Sequence, residues 1–464
     1  MSRLQPLPRI LFAAPSSASG KTTVTCAVLR ALVRRGLKVA SFKCGPDYID
    51  PMFHRKSVGT AVSSNLDLFF SDSNTVKRLM GEPALNADLA VLEGVMGYYD
   101  GLAGKSVEVS TYAVAEATQT PAVLVVNCRG QSVSIAALVK GFLEFRKDSR
   151  ISAVVFNRLS PMLYPELKAL VEQECGVAVA GFLPPMTDCT LESRHLGLVT
   201  ADETENIQRK LDLLAAQAEK TIDLDLLLKL ADSAPALEYE KPRIPQLSEP
   251  VRIAVADDRA FCFYYQDTLR LLKEEGAELV TFSPLRDSAL PEQIGGLYLG
   301  GGYPELYARQ LSENTAMRDA VKHAIEQGMP TIAECGGFLY LHRTLQDADG
   351  IPFPMAGVLP ADAVRTEKLS RFGYVTLTAA RDNLLCLAGE SLPAHEFHYW
   401  DSNNCGNDFT AQKPLRNTSW TCVHAKGNLW AGFPHLYLPA VPKAAYRFLK
   451  AAETYRKDLQ NDAE

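Results

Sequence analysis

The chain has 464 residues, more than the roughly 250–300 at which a single hydrophobic core stops growing, so we expect two or three domains, with two as the default. With 47% hydrophobic and 22% charged residues, the composition is that of a soluble globular protein with a sizeable core, and we do not expect extensive disorder. The net charge of −6 argues against a nucleic-acid surface, which needs concentrated lysine and arginine.

The cysteine spacing and the length of the first apolar run indicate the cellular compartment in which we expect the protein. Ten cysteines are scattered along the chain without a CxxC pair or a metal-ligand spacing, and no secretion signal is present, so we expect reduced thiols and a cytoplasmic protein. The early apolar run Ile10 to Ala14 is far shorter than the ~20 residues of a membrane span. It predicts a buried strand and gives no reason to expect a membrane partner.

Strand and helix patterns alternate from residue 9 onwards. The run "ILFAA" is followed by a serine-rich loop, a stretch of helical periodicity closed by Gly36, and the run "KVASF", which together predict a βαβ unit. Further apolar runs ("LAVLEG", "AVLVVN" and "ISAVVFN") alternate with helical stretches such as 133–145. This alternation predicts an α/β fold with a parallel sheet, whose ligand residues gather at the carboxyl ends of the strands.

The periodicity fails between residues 232 and 250, where four prolines lie among charged residues. We therefore predict a first domain at 1–231, a linker at 232–250 and a second domain at 251–464. The α/β alternation restarts after the linker with "VRIAVA", a helix near 267–275, "ELVTF", "GGLYLGGG", a helix near 316–327 and "PTIAECGG".

The stretch "APSSASGKTT" lies between the first strand and the first helix, where backbone N–H groups of a helix start bind phosphate. Gly20 allows close approach, Lys21 is placed to neutralise the outer phosphates, and Thr22 offers a hydroxyl to Mg²⁺. Thr23 continues this helix start. The first glycine of a standard phosphate loop is replaced by Pro15, and the competing interpretation is an ordinary turn capped by a serine.

Carboxylates follow two further strands. Asp47 and Asp50 lie in "FKCGPDYIDP" together with Lys43, while Glu93 and Asp100 lie in "LEGVMGYYDG". Beside a phosphate loop such groups are candidate Mg²⁺ ligands or general bases, although aspartates next to proline or glycine are also common in simple turns. Glu93 favours the functional interpretation, because it is a charge that closes a buried strand.

In the second domain "PTIAECGGFLYL" places Cys335 on a sharp turn between a strand and a helix, a position that exposes a nucleophile and favours its thiolate. The glycine run 300–302 at another strand end is a candidate oxyanion hole. Of the histidines that could serve as its base, we select His435, at the edge of a late apolar strand. His395 and His398 in "HEFHYW" lack the four-residue spacing of a zinc-binding helix, so we reject zinc.

Taken together and in order, these motifs make the chain resemble the cobyrinic acid a,c-diamide synthases, ATP-dependent glutamine amidotransferases of corrinoid biosynthesis. The resemblance runs nearly end to end and includes "FKCGPDYIDPMFH", "NLDLFF", "RHLGLV", "DDRAFCFYYQDTL", "FSPLRDSALP" and "YLGGGYPELYA". It implies an N-terminal P-loop domain of the dethiobiotin-synthetase type and a C-terminal class I glutamine amidotransferase-like α/β domain.

The resemblance also implies roles for individual residues. Gly20, Lys21, Thr22 and Thr23 would hold ATP, and Asn157 would contact its adenine base. Mg²⁺ would be held by Thr22, Asp47 and Glu93. Asp50 and Asp100 would act around the acetate-bearing substrate and its phosphorylated intermediate, and Asp47 would join them in catalysis from the phosphate site. Cys335 would form the glutamyl thioester, and His435 would transfer protons.

The chain departs from the pattern of this family at several positions. Ala14 and Ala18 stand where glycines are common, and Ala394 precedes "HEFHYW" where glycine is usual. Tyr437 replaces the second histidine of a late HxH motif, which questions the geometry of the base.

Two kinds of alternative stay open. Within the family type, the substrate is cobyrinic acid, hydrogenobyrinic acid or nickel sirohydrochlorin, and we favour cobyrinic acid as the commonest. From a different class, a P-loop ATPase regulator with an inactive glutaminase-like domain would lack the nucleophile that Cys335 provides. Arg194 and His195 are guesses for the tetrapyrrole pocket, and a homodimer is a further expectation.

Overall fold

The computed structural model describes residues 2–189 and 201–461, so Arg194 and His195 lie outside the described residues. The chain forms two compact units, Met1–Pro242 and Arg243–Glu464. Each unit has its own parallel sheet and its own buried core. Within the described ranges, no helix is long and apolar enough to cross a membrane.

The strands of the first unit are β1 (Ser2–Gln5), β2 (Arg9–Ala13), β3 (Val39–Cys44), β4 (Val62–Leu66), β5 (Leu89–Glu93), β6 (Ala122–Asn127), β7 (Ile151–Asn157), β8 (Ala178–Leu183) and β9 (Leu237–Glu240). Seven of them form a parallel sheet in the order β4-β3-β5-β2-β6-β7-β8. Strands β2 and β5 are buried at every position, as near-continuous apolar runs in a parallel sheet should be.

The helices of the first unit are α1 (Lys21–Arg34), α2 (Ile49–Phe53), α3 (Ser73–Gly81), α4 (Thr111–Ala117), α5 (Ser134–Glu144), α6 (Tyr164–Cys175), α7 (Ala201–Thr221) and α8 (Leu224–Asp232). Helix α1 buries Val24, Val28 and Leu32 in the core. The predicted βαβ unit consists of β2, α1 and β3. In the sheet, β3, β4 and β5 lie on one side of β2 and β6, β7 and β8 lie on the other, so the strand order reverses at β2. The phosphate loop therefore lies at the carboxyl edge of the sheet, next to the switch point where α/β folds bind ligands.

The segment 232–250, which we predicted to be a linker, begins at the end of α8 and contains β9. Strand β9 pairs antiparallel with β1, from Ser2 opposite Glu240 to Gln5 opposite Leu237. Part of this segment thus belongs to the first unit, which ends at Pro242.

The strands of the second unit are β10 (Val251–Ala256), β11 (Phe261–Phe263), β12 (Ala277–Phe282), β13 (Ile294–Leu299), β14 (Gly301–Gly302), β15 (Thr331–Glu334), β16 (Thr344–Gln346), β17 (Pro352–Pro354), β18 (Asp362–Arg365), β19 (Arg371–Ala379), β20 (Ser391–His398), β21 (Trp400–Ser402), β22 (Phe409–Gln412), β23 (Ser419–Cys422), β24 (Leu429–Gly432) and β25 (His435–Leu436). Its helices are α9 (Gln266–Glu274), α10 (Ala308–Glu313), α11 (Thr315–Glu326), α12 (Gly336–Tyr340) and α13 (Pro442–Asn461).

The central sheet of the second unit is parallel, in the order β12-β10-β13-β15-β24. An antiparallel sheet in the order β23-β22-β19-β20-β25 packs on it through shared core residues. A third sheet, β17-β16-β18-β21, and the β11-β14 ribbon complete the unit. The predicted α/β alternation with parallel sheets is confirmed, and the antiparallel sheets are additions to it.

Candidate active sites

The phosphate loop connects β2 to α1 and ends at Gly20. Gly20 has φ of 84°, in the left-handed region that favours glycine, and no side chain caps the helix that it precedes. The first N–H groups of α1 are therefore available to an anion, as the sequence predicts. Ala18 also has a positive φ, of 63°, which is unfavourable for a residue with a Cβ atom.

Asn157, at the end of β7, holds this loop in place. Its Nδ2 donates to the carbonyl of Ser19 at 3.0 Å, and a Cβ atom built on Gly20 would lie 1.9 Å from the same Nδ2. A cavity of about 470 Å³ opens beside Asn157. It is lined in part by Thr23, Arg129, Pro184 and Met186. Asn157 therefore lies where the phosphate loop meets a pocket large enough for a base.

Replacing Gly20 with alanine is expected to raise the KM for ATP at least about tenfold, because the left-handed backbone costs about 1–2 kcal/mol and the new methyl displaces Asn157. Gly36→Ala is the matched control, since Gly36 has φ of 85° and nothing lies within 4 Å of its added Cβ atom. Steady-state kinetics with ATP as the varied substrate measures both. If both variants changed the KM for ATP equally, backbone strain alone would explain the change, and the contact between Gly20 and Asn157 would have no specific role in ATP binding.

A buried charge network lies at the carboxyl ends of β3 and β5. The Oε1 atom of Glu93 accepts from the Thr22 hydroxyl at 2.6 Å and from Lys43 Nζ at 3.0 Å. Lys43 also pairs with Asp50, and His54 Nε2 lies 3.2 Å from Glu93 Oε2. The network joins the first turn of α1 to α2 and to the ends of β3 and β5. The predicted residues Thr22, Asp50 and Glu93 therefore do lie close together.

The charges in this network set one another's protonation. Burial raises the pKa of Glu93, but Lys43 and His54 lower it more, and the net pKa lies well below the usual range. Burial lowers the pKa of Lys43, while Asp50 and Glu93 raise it to a net value well above the usual range. Burial and the neighbouring Asp47 raise the pKa of Asp50 to about 6. Glu93 and Lys43 thus form an ionised pair.

Glu93→Gln is expected to lower the free energy of unfolding by about 3 kcal/mol at neutral pH, because Lys43 stays buried with one partner fewer. Since the folded pKa of Glu93 lies below its unfolded value of about 4.3, this stabilisation is complete above that pH and is lost as the pH falls through the folded pKa. Urea unfolding across this pH range measures it. The control Glu219→Gln breaks a partly exposed pair with Arg35 and should cost at most about 1 kcal/mol.

The other two predicted aspartates have local backbone roles. Asp47 Oδ1 accepts from the N–H groups of Ile49 and Asp50, at 2.8 and 3.0 Å, and so orders the start of α2 beside the network. Asp100 is exposed, and its Oδ2 accepts from the Gly97 N–H at 2.9 Å. A Cβ atom on Gly97 would meet both Asp100 Oδ2 and the carbonyl of Pro15, so this turn borders the phosphate loop.

The donor set fits a Mg²⁺ ion that is brought by a nucleotide. Within residues 2–189 and 201–461, no group of three histidine, cysteine or acidic side chains is arranged to hold a metal by itself. Both oxygens of Glu93 already lie against Thr22, Lys43 or His54. Phosphate oxygens and water supply most ligands of nucleotide-bound Mg²⁺, so a threonine hydroxyl held by a carboxylate is a sufficient protein contribution.

In the second unit, Cys335 stands on the predicted sharp turn between β15 and α12. Its φ of 47° and ψ of −100° are strained for a residue with a side chain, as in the nucleophile elbows of other enzymes. Gly337 is packed so tightly that an added Cβ atom would lie 2.1 Å from the carbonyl of Leu299. A Cβ atom on Gly336 would lie 3.0 Å from the N–H nitrogen of Gly302, so the predicted glycine run borders the nucleophile.

His435 reaches this turn from β25. A Cβ atom on Gly301 would lie 2.4 Å from His435 Cε1, and His435 Nδ1 lies 3.8 Å from Glu334 Oε2. Burial lowers the pKa of His435, but the charge of Cys335, a hydrogen bond with Cys335, and Glu334 raise it to about 10. The predicted nucleophile and base are therefore brought together, with a carboxylate behind the base.

The "HEFH" residues lie in β20, whose side chains alternate between the two faces of the sheet. His395 pairs with His435 across β20 and β25, and burial lowers its pKa to about 3. Glu396 and His398 are on the opposite face. There His398 stacks on Phe433 with ring centroids 3.8 Å apart.

Two residues at these sites, His54 and Glu334, were not among the residues predicted from the sequence. Glu334 carries the same signal as Glu93, a charge that closes a buried strand, and it directly precedes the nucleophile. His54 lies in a π-helical turn (His54–Val58) that follows α2, and no local pattern in the sequence distinguishes it from a packing histidine.

Family models match both units of the chain. Residues 10–199 match the family model of the CobQ/CobB/MinD/ParA nucleotide binding domain, and residues 252–441 match that of the CobB/CobQ-like glutamine amidotransferase domain. The cobyrinate a,c-diamide synthase of Caldanaerobacter subterraneus subsp. tengcongensis is 38% identical over 96% of this chain and 98% of its own.

Two further relatives extend this comparison. The cobyrinate a,c-diamide synthase of Salmonella typhimurium is 38% identical over 95% of this chain and 97% of its own. The cobyrinate a,c-diamide synthase of Priestia megaterium is 36% identical over 97% of this chain and 99% of its own. With a nucleotide-binding unit, a glutamine amidotransferase unit and near-full-length similarity to these enzymes, the chain belongs to the cobyrinate a,c-diamide synthase family.

Proposed function

We propose that the protein amidates the a and c acetate carboxylates of cobyrinic acid, using ATP and ammonia released from glutamine. The observation that carries this proposal is that one chain combines a phosphate loop tied to a buried Thr22–Glu93–Lys43 network with a Cys335–His435 pair in a second unit. A carboxylate needs ATP to become an electrophile, and glutamine needs a nucleophile to release its nitrogen.

The synthetase half reaction is a phosphoryl transfer. An acetate carboxylate oxygen attacks the γ-phosphorus of ATP, the bond to ADP breaks, and an acyl phosphate forms. We assign Gly20, Lys21, Thr22 and Thr23 to the phosphates and Asn157 to the adenine base. When bound to the nucleotide, Mg²⁺ would neutralise phosphate charge, with Thr22 as its direct protein ligand and Asp47 and Glu93 beside it. We place Asp50 and Asp100 around the acetate and the transferred phosphoryl group.

The glutaminase half reaction proceeds through a covalent thioester. The Cys335 sulfur attacks the side-chain amide carbon of glutamine, and His435 transfers a proton to the departing nitrogen, which leaves as ammonia. Water, with His435 as base, then hydrolyses the thioester to glutamate. Ammonia attacks the acyl phosphate carbonyl, the bond to phosphate breaks, and an amide forms. Two cycles on two acetates give the a,c-diamide.

The assay that tests this proposal incubates the protein with ATP-Mg²⁺, glutamine and one tetrapyrrole at a time: cobyrinic acid, hydrogenobyrinic acid or nickel sirohydrochlorin. Each amidation exchanges a hydroxyl group for an amino group, so mass spectrometry counts the amides. We expect two amidations of cobyrinic acid. Amidation of only one of the other tetrapyrroles would reassign the substrate, and no mass change on any of them would refute the amidotransferase.

The cellular setting belongs to the same proposal. The ten cysteines all lie in the described ranges and are all free, as expected of a cytoplasmic enzyme. A homodimer is our expectation for its assembly, which sedimentation of the purified protein would test.

A further inference from the structure

The catalytic histidine of the second unit needs a group that fixes its orientation. In cysteine–histidine pairs a third side chain usually holds the other ring nitrogen and stabilises the charged imidazolium. The residue two positions after His435 is Tyr437, and its hydroxyl donates to Asp267 Oδ2 on α9 at 2.9 Å. Tyr437 carries no negative charge that could stabilise an imidazolium, so the stabilising charge must come from elsewhere in the fold.

Glu334 is placed to supply this charge. Its carboxylate is 2% exposed at the end of β15, directly before the nucleophile. Its Oε1 accepts from the Tyr298 hydroxyl at 3.2 Å and from the Leu436 N–H at 3.3 Å. These two bonds leave Oε2 against the imidazole, 3.8 Å from His435 Nδ1. The carboxylate thus contacts both the backbone beside His435 and its ring.

The remaining groups near His435 do not replace Glu334. His395 faces it from β20, Glu396 and His398 interact with it electrostatically from the same strand, and Cys335 approaches from the turn after β15. His395 carries no negative charge, and Glu396 lies on the opposite face of β20. Among the ion pairs of residues 2–189 and 201–461, Glu334 lies 3.8 Å from the ring, within ion-pair distance.

We propose that Glu334 is the positioning residue of the glutaminase site: it accepts the Nδ1–H of His435, fixes the ring so that Nε2 serves Cys335, and stabilises the imidazolium. The 3.8 Å separation closes to a hydrogen bond when glutamine binds, as catalytic hydrogen bonds commonly do. The third member of this triad comes from the residue before the nucleophile rather than from a residue after the histidine. The inference rests on the proposed glutaminase activity.

The test compares Glu334→Gln with wild type in a glutamate-release assay, which needs no tetrapyrrole. We expect kcat for glutamine hydrolysis to fall about 10²–10⁴-fold, as when a triad carboxylate loses its charge, with KM for glutamine changed less than about threefold. Glu334→Asp keeps the charge and should recover part of kcat. Glu275→Gln, which alters a buried carboxylate at the end of α9, is the matched control and should retain wild-type kcat.

A second readout separates positioning from mere packing. Because a negative charge favours the imidazolium, removing it should lower the pKa of His435, so the alkaline limb of the pH profile shifts to lower pH. Histidine NMR titration of the full chain, with His435→Gln for assignment, measures the same shift without turnover. A Glu334→Gln variant with an unchanged titration of His435 overturns the proposal.

The same experiments separate failure of this inference from failure of the proposed function. If wild type releases no glutamate from glutamine, the proposed function is wrong, and the NMR titration still decides whether Glu334 stabilises the imidazolium. If Glu334→Gln fails to fold, Glu334→Asp decides: the proposal requires it to hydrolyse glutamine more slowly than wild type while keeping ammonia-dependent amidation.

Discussion

Cys335→Ala is expected to lower glutamine-dependent amidation at least about 10³-fold while leaving amidation with free ammonia near the wild-type rate. The reason is that Cys335 supplies only the sulfur that attacks glutamine, on a turn of the second unit. The acyl phosphate forms in the first unit. Amide formation with each nitrogen donor, followed by mass spectrometry at matched protein concentration, measures both rates.

Cys386→Ala provides the control for this prediction, because Cys386 is another buried cysteine of the second unit outside the site. It should keep glutamine use. If Cys335→Ala also kept full glutamine use, the nucleophile would be misassigned. If wild type used ammonia but never glutamine, the second unit would be an inactive glutaminase-like domain, as the regulator alternative supposes.

Lys21→Ala should have the complementary effect and lower amidation with both nitrogen donors by about 10²–10³-fold. Lys21 begins α1 directly after Gly20, where its ammonium can meet the outer phosphates. Burial and the neighbouring Lys43 lower the pKa of Lys21, so the site is already short of compensating negative charge, and a bound phosphate would provide it. ADP formation and amide formation, measured with ammonia and with glutamine, report the loss.

For Lys21 the control is Lys38→Ala, which removes an exposed lysine that precedes β3. Glutamate release in the absence of tetrapyrrole should be unchanged in both variants, since Cys335 and His435 lie in the other unit. A Lys21→Ala variant that kept amidation with ammonia would exclude the phosphate role. One that lost glutamate release as well would indicate general unfolding and would be checked by circular dichroism.

The parallel sheets could be predicted from the sequence because their strands are apolar runs long enough to recognise. Strands β2, β3, β5, β6 and β7 all coincide with apolar runs of the sequence, from "ILFAA" to "ISAVVFN". The antiparallel sheets could not be predicted, because several of their strands are only two to four residues long and pair with strands that are distant in the chain. The pairing of His395 with His435 is an example, since no local sequence pattern around either histidine predicts it.

The candidate site residues divide in the same way. Residues at strand ends could be predicted, Glu93 in the first unit and Cys335 in the second, because a parallel sheet gathers the carboxyl ends of its own strands at one edge. Contacts that depend on side-chain conformation could not be predicted, and the contact between His54 and Glu93 is one of them. The hydrogen bonds from the N–H groups of Ile49 and Asp50 to Asp47 could not be predicted either, because turn chemistry and ligand binding favour the same residue types.

The chain passes from β24 to β25 over only Phe433 and Pro434, and so leaves the parallel sheet for the antiparallel sheet within two residues. The nucleophile belongs to the parallel sheet, where its N–H donates to the Gly432 carbonyl at 2.8 Å, while the base is anchored in the antiparallel sheet. The separation of nucleophile and base therefore depends on how the antiparallel sheet packs on the parallel sheet through their shared core. A substitution at a core position of β19 or β22 that shifts this packing should slow ammonia release although it alters no residue of the site itself.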